Sequence, residues 1–323
     1  MTDLLNLIDE FEPRLKQSFL DAVADTREEV LNLINQSIGE NNPIDATQLP
    51  QDSNLDILII DSLDTHLTQG LKDELTALYD DSAILLLSVL GIRDFQQSNH
   101  LKAELVKSEI RGITAATSKT VQSVRTNKQR IIETIGLTTK QAASLSNYRL
   151  ALEKIALPTK PVFRSKLIIS GKVRIENTHN FNDVIPPEVI RTLSASQRST
   201  LRKAIEHGID QNQVDKLVSK QQKALLLHRA KAIARNVSSK LAHTAQQQVF
   251  NALATARLID RNKYRRYWVT AHDEKVRHSH SQVEATHSKG VAINQPFKTA
   301  LGNFMHPPLE INCRCHVVIK KAR

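Results

Sequence analysis

Aromatic residues make up only 4% of this 323-residue chain, which also holds just two cysteines, nine glycines and ten prolines. So few aromatics leave the cores to Leu, Ile, Val and Ala, which suits helix packing. Scarce glycine and proline leave room for long helices. Two cysteines make no disulfide framework, so an intracellular, reducing setting fits better. The most apolar run, Ala83 to Ile92, falls short of the roughly 18 residues a membrane helix needs. No membrane is therefore expected among the partners. The start, Met1-Thr2-Asp3-Leu4, is acidic where a signal peptide needs positive charge. No Gly-rich phosphate loop is present, which argues against a P-loop ATPase. No Gly-x-Ser-x-Gly elbow is present either.

Charge is plentiful but uneven. Residues 1–100 hold 19 acidic and 5 basic residues, while residues 101–323 hold 15 acidic and 39 basic ones. Such asymmetry points to different partners for the two parts. Between Lys220 and Arg266 there are eleven Lys/Arg and one acid, Asp260. A basic surface binds nucleic-acid phosphate by releasing counterions, whatever the base sequence. Lys220, Lys223, Arg229, Lys231, Arg235, Lys263, Arg265 and Arg266 are accordingly the candidate contacts to double-stranded DNA. A solvated helix face is the plainer account of the same charges. The acidic first hundred residues should face protein or solvent.

The patterning predicts an α+β chain, mostly helical in its N-terminal and middle regions, with a small α+β C-terminal core. The length suits two or three domains at about 150 residues each. Residues 1–50 read as an acidic amphipathic helical arm and linker, with Leu4, Leu7, Ile8, Phe11, Leu15 and Phe19 at helical spacing. Residues 51–157 read as a helical region, in which Gly91 breaks one helix and Thr138-x-x-Gln141 caps the next. Residues 158–187 change period, and β-branched stretches around Ser170-Gly171 suggest a hairpin or a loop insertion. Residues 188–262 form a basic helical region. There Gly208 follows a helix end and Asp210-x-x-Gln213 opens a helix carrying a stripe from Leu226 to Leu253.

Residues 263–323 make the terminal core. Tyr267–Thr270 and Cys315–Ile319 read as strands, with a turn and short helix over Asp273–Ser288. Six of the twelve histidines fall between His272 and His316, and both cysteines lie in Cys313-Arg314-Cys315. Alternate residues of a strand share a face, so both sulfurs can meet at one point if the strand begins early enough to include them. Two thiolates with an imidazole suit zinc. The ligand set would be Cys313, Cys315 and His280, completed by Asp273 or His278, and the cofactor would be a structural zinc ion. The alternative is two half-buried thiols packing a strand, with the histidines on the surface. Trp268 is expected as a core anchor, and Arg277 or Arg314 as an ion-pair clamp on Asp273.

The order of these residues resembles a known family. The run Trp268-Val-Thr270-Ala-x-Asp273-x-x-Val276-Arg277-x-x-His280, followed by Gly290, Pro296-Phe297, His306-Pro307-Pro308 and Asn312-Cys-Arg-Cys315, resembles the Mu F-type phage head morphogenesis proteins, or minor head proteins. Weaker likenesses lie at Arg229–Arg235 and Gly136–Ala142, while Asn236-Val237 stands where members usually carry Thr-Glu. The resemblance implies a non-enzymatic structural protein of a tailed-phage head, at the portal vertex and near packaged DNA. Portal protein would be its partner, with major capsid or scaffold protein as further candidates. Its location would be the head interior near the portal, and host cytoplasm during assembly. The competing function is a metal-dependent hydrolase or nuclease built on the His/Cys cluster. Against it, a nuclease gathers carboxylates around a divalent cation, and no sharp carboxylate motif appears.

Overall fold

Apolar residues recurring every three or four positions build the long helices. The computed structural model describes residues 4–38, 53–93, 95, 98–121, 132–156, 164–169, 172–177 and 187–322. The linker read at Gly39–Gln51 lies outside them. In chain order come α1 (Leu4–Ile38), α2 (Ser53–Leu90), α3 (Asn99–Val121), α4 (Thr139–Ala156), β1 (Arg164–Ile169) and β2 (Lys172–Asn177). Then follow α5 (Pro187–Thr192), α6 (Ala195–His207), α7 (Gln211–Thr255), β3 (Tyr264–Val269), α8 (His278–Thr286), β4 (Val291–Ala292), β5 (Phe297–Thr299), β6 (Gly302–Phe304) and β7 (His316–Lys321). The chain is mostly helical with a small α+β core, as its patterning predicts. Among the described residues no helix is long and apolar enough to cross a membrane.

Two compact units divide the chain. One joins Met1–Val30, Ile57–Ala116 and Leu227–Arg323; the other joins Leu31–Asp56 and Thr117–Leu226. The first hundred residues therefore supply helices to the unit that carries the C-terminal core. In that unit α1 buries Leu7, Ile8, Phe11, Leu15 and Phe19, and α2 buries Ile59, Leu63, Leu67, Leu71 and Leu75. Gly70 lets the two helices approach: a Cβ there would stand 3.2 Å from Ser18 O. Gly91, at φ 71°, ends α2.

Acidic side chains of this unit meet basic ones of the same unit. Arg235 on α7 pairs with Asp9 at 2.8 Å and with Glu12, Arg14 pairs with Glu74 at 2.6 Å, and Lys240 pairs with Glu109 at 2.6 Å. Part of the acidic charge expected to face partners or solvent is thus answered within the chain.

The C-terminal core is a three-stranded antiparallel sheet in the order β4-β3-β7, beside a β5–β6 ladder. Val269 pairs with His316 at one end of the β3–β7 ladder and Tyr264 with Lys321 at the other. Two apolar clusters hold it. Tyr264, Ile293 and Ile319 pack with Val249, Phe250 and Leu253 of α7 and with Ala83 and Leu86 of α2. Trp268, Val283, Phe297, Leu309, Cys313, Cys315 and Val317 form the second, where Trp268 and Phe297 meet edge to face at 5.2 Å.

In the second unit, caps define the helices. Thr138 Oγ1 accepts from Gln141 N–H at 3.2 Å, while Gln141 Oε1 accepts from Thr138 N–H at 3.1 Å. Asp210 and Gln213 exchange the same bonds at 2.7 and 2.8 Å. A further capping box, Ser194 with Gln197, opens α6 and escaped the sequence reading. Buried Arg149 is held by Glu133, by Asp215 at 2.9 Å and by Glu153 at 3.3 Å. Burial works against its charge, but these carboxylates outweigh it and raise its pKa. β1 and β2 pair antiparallel from Arg164↔Asn177 to Ile169↔Lys172, the hairpin pairing suggested for residues 158–187.

Candidate functional site

His280 lies in the first turn of α8, and Cys313 and Cys315 lie in the segment that enters β7. All three are buried. His280 Nδ1 is 3.6 Å from Cys313 Sγ and 3.4 Å from Cys315 Sγ, and the three ligand atoms lie within 4.8 Å of one another. The other ring nitrogen, Nε2, is 3.2 Å from the Glu310 carboxylate. A carboxylate accepts only, so Nε2 is the donor in that contact and Nδ1 is the ring nitrogen that faces the sulfurs.

The approach of the cysteines is built locally. Asn312 takes φ 61°, a left-handed conformation that Asn tolerates, and its N–H donates to Asn236 Oδ1 of α7 at 3.2 Å. Asn236 thereby ties α7 to the cysteine loop. Arg314, between the two thiols, pairs outward with Asp273. The two thiols share their protons unequally. The Cys315 S–H bonded to the Cys313 sulfur brings Cys313 down to about 6, against its burial. The same bond, with burial, raises Cys315, while the Trp268 N–H works the other way.

Asp273 does not join the three. It is exposed, its carboxylate pairs with Arg314, and it accepts from Lys275 N–H at 3.0 Å. It borders a small cavity of about 20 Å³ that Arg277, His280, Asn312, Cys313, Arg314 and Cys315 also line. Of the two arginines proposed as its clamp, Arg314 serves. Arg277 instead donates to Ile311 O at 3.0 Å. Trp268 is buried at the core position expected of it.

The six C-terminal histidines, neighbours in sequence, take separate places. His278 is exposed. His272 faces Glu284 at 3.2 Å. His287 accepts from Lys298 N–H at 3.2 Å and packs on Phe297. His306 stacks on His243 of α7, 5.7 Å between centroids. His316 is buried in β7. His243, unremarkable in sequence, accepts from Val317 N–H at Nε2 (3.0 Å) and donates from Nδ1 to Ser239 O. Burial first, then His306, holds its pKa well below the usual histidine value.

The candidate DNA contacts divide. Lys220 and Lys223 of the second unit are exposed, as are Lys231, Lys263 and Arg265 of the first. Arg235 is taken up by Asp9 and Glu12. Arg229 and Arg266 are buried, a correction to their assignment as phosphate contacts. Burial lowers the pKa of each to about 10. Strand alternation decides the case of Arg266: on β3, Tyr264, Arg266 and Trp268 face inward and Arg265 faces out. The same rule adds a residue that charge counting passed over. Arg265 pairs directly with Lys320 across the ladder, and both are exposed.

Residues 197–318 match the family model described as Phage Mu protein F like protein. That stretch is similar to the Mu F-like family. The Mu F-like stretch runs from α6 into β7 and contains every candidate metal ligand and the Arg229–Arg235 likeness. The likeness at Gly136–Ala142 lies outside it. No curated protein and no solved structure matches the chain.

Proposed function

We propose that this chain is a non-enzymatic minor head protein that acts at the portal vertex during head assembly and touches packaged double-stranded DNA without reading its sequence. The observation that carries the DNA reading is the exposed basic end of the β3–β7 ladder. Arg265 stands directly opposite Lys320, and Lys263 and Lys321 are exposed beside them. Like charges directly opposite on a sheet repel, so such a pair favours an anion placed over it. Asp260, the acid nearest in sequence to Lys263, is engaged in accepting from Asn262 N–H at 3.0 Å.

Portal protein is the proposed protein partner, with major capsid or scaffold protein meeting the same assembly. α1 to α3 contribute to the same unit as the C-terminal core, so the intact chain is the right material for testing. Sedimented with a purified portal ring, it should travel with the ring; remaining in the supernatant at every ratio refutes the portal assignment. Titrated against duplex DNA over a range of salt, it should bind any sequence. Each phosphate contact removed by reversing Lys263, Arg265, Lys320 or Lys321 should lower the log–log salt slope by about 0.9. An unchanged slope in the fourfold variant refutes the assignment of this face.

A further inference from the structure

We propose that His280, Cys313 and Cys315 bind a divalent cation of the zinc class, with Glu310 as the carboxylate that orients His280 and a water in the fourth position. The inference is independent of the head-protein reading.

The distances carry it. Zinc bound at about 2.3 Å to sulfur and about 2.0 Å to nitrogen, with tetrahedral angles, holds those two atoms about 3.5 Å apart. The observed separations are 3.6 and 3.4 Å. A chain of weak S–H donors accounts for these contacts one at a time. It does not require both sulfurs to stand equally far from one imidazole nitrogen.

The surroundings agree. A metal-bound histidine usually donates its other ring N–H to a carboxylate or carbonyl, which fixes the tautomer and the ring plane. Glu310 stands in that place, 3.2 Å from Nε2. Trp268 Nε1 is buried with the Cys315 sulfur as the group its N–H acts on, and a metal-held thiolate at Cys315 would be a stronger acceptor than a thiol. Two thiolates and an imidazole favour zinc over harder cations such as magnesium or calcium. The adjoining cavity of about 20 Å³ holds about one water. Asp273 on its border stays with Arg314. A cation here would join α8 to the entry of β7, elements 33 and 35 residues apart in the chain.

The test uses the full chain, purified without chelator. Elemental analysis after equilibration with zinc and gel filtration should find one equivalent. Cobalt(II) in place of zinc should give thiolate-to-cobalt charge-transfer absorption and the intense bands of a tetrahedral site. Cys313→Ser with Cys315→Ser should abolish both, and Glu310→Gln should keep the spectrum while weakening affinity about 10- to 100-fold. Only trace zinc in the wild-type chain, cobalt spectra without a thiolate band, or bands that survive the double substitution would each overturn the proposal. An intact mass two hydrogens short of the reduced chain under anaerobic handling would do so as well, since it means a Cys313–Cys315 disulfide. The wild-type spectrum decides the matter even if a variant fails to fold.

Discussion

Arg265 and Arg266 are adjacent, equally charged and, by sequence, equal candidates for DNA contact; the fold makes opposite predictions for them. Arg266 is 1% exposed. Its guanidinium donates to Met305 O, to Gln295 O and to Gln247 Oε1 at 3.2 Å, and lies 5.2 Å over the Phe297 ring. Replacement by Met keeps most of the volume and removes all three donors. A buried acceptor left unsatisfied costs about 1–3 kcal/mol. Relief of the buried charge offsets part of that, as the lowered pKa of about 10 indicates. The net expectation is a loss of about 3 kcal/mol, near a hundredfold in the folding equilibrium. Arg265→Met, on the exposed face, should change stability by no more than about 0.5 kcal/mol and lower the DNA salt slope by about 0.9. The assay is urea unfolding followed by the fluorescence of Trp268, the one tryptophan of the chain, which shares a core cluster with Phe297. An unchanged midpoint for Arg266→Met, or a large shift for Arg265→Met, would refute the strand-face argument.

Acid should loosen the C-terminal core. Burial lowers His243 and His306 below the ordinary histidine pKa, with His316, Arg266 and Lys240 adding repulsion. The unfolded chain therefore binds more protons, and stability present above about pH 6.5 falls by up to about 1.4 kcal/mol per histidine for each pH unit below it. His243→Gln should flatten the pH dependence of the Trp268 transition, and an unaltered profile would count against it. In the second unit, Arg149→Met strands the carboxylates of Glu133, Glu153 and Asp215. It should lower helix stability in circular dichroism by about 2–4 kcal/mol, discounted from a fully buried pair because Asp215 is partly exposed; no change would deny Arg149 its role. Gly290→Ala places a Cβ 3.0 Å from Arg266 O and the Tyr267 ring at φ +71°. It should cost about 1–3 kcal/mol in the same urea assay, and a neutral result would show that the turn relaxes.

Local signals were legible in the sequence. The period of Leu4 to Phe19 sets α1 as a helix. Thr138 with Gln141 and Asp210 with Gln213 mark helix starts that the hydrogen bonds bear out. These patterns span three or four residues, and the chemistry that reads them is equally short in range. The convergence of His280 on Cys313 and Cys315 was expected from residue type and spacing, but strand alternation is not its cause: β7 begins at His316, so both thiols are placed by the turn before the strand. Glu310 was not: its approach to His280 depends on the turn before Cys313, where Cys313 N–H donates to Glu310 O at 3.2 Å, and no spacing announces that. Arg266 was legible in principle. Given Trp268 inward on a strand, the residue two before it faces inward as well. Reading Lys263, Arg265 and Arg266 as one basic patch ignored that alternation.

The charge tally shows the same limit from the other side. A formal count sets 19 acids in the first hundred residues against 39 bases in the rest and invites one partner for each part. Arg235 meets Asp9 across 226 positions of sequence, and Lys240 meets Glu109. Each such contact removes one charge of either sign from what a partner can feel. What an anion meets is set by the bases left exposed, and on β3 and β7 those are Arg265, Lys320 and Lys321. Counting charge along the chain names a class of partner; only the pairing within the fold says which residues remain to greet it.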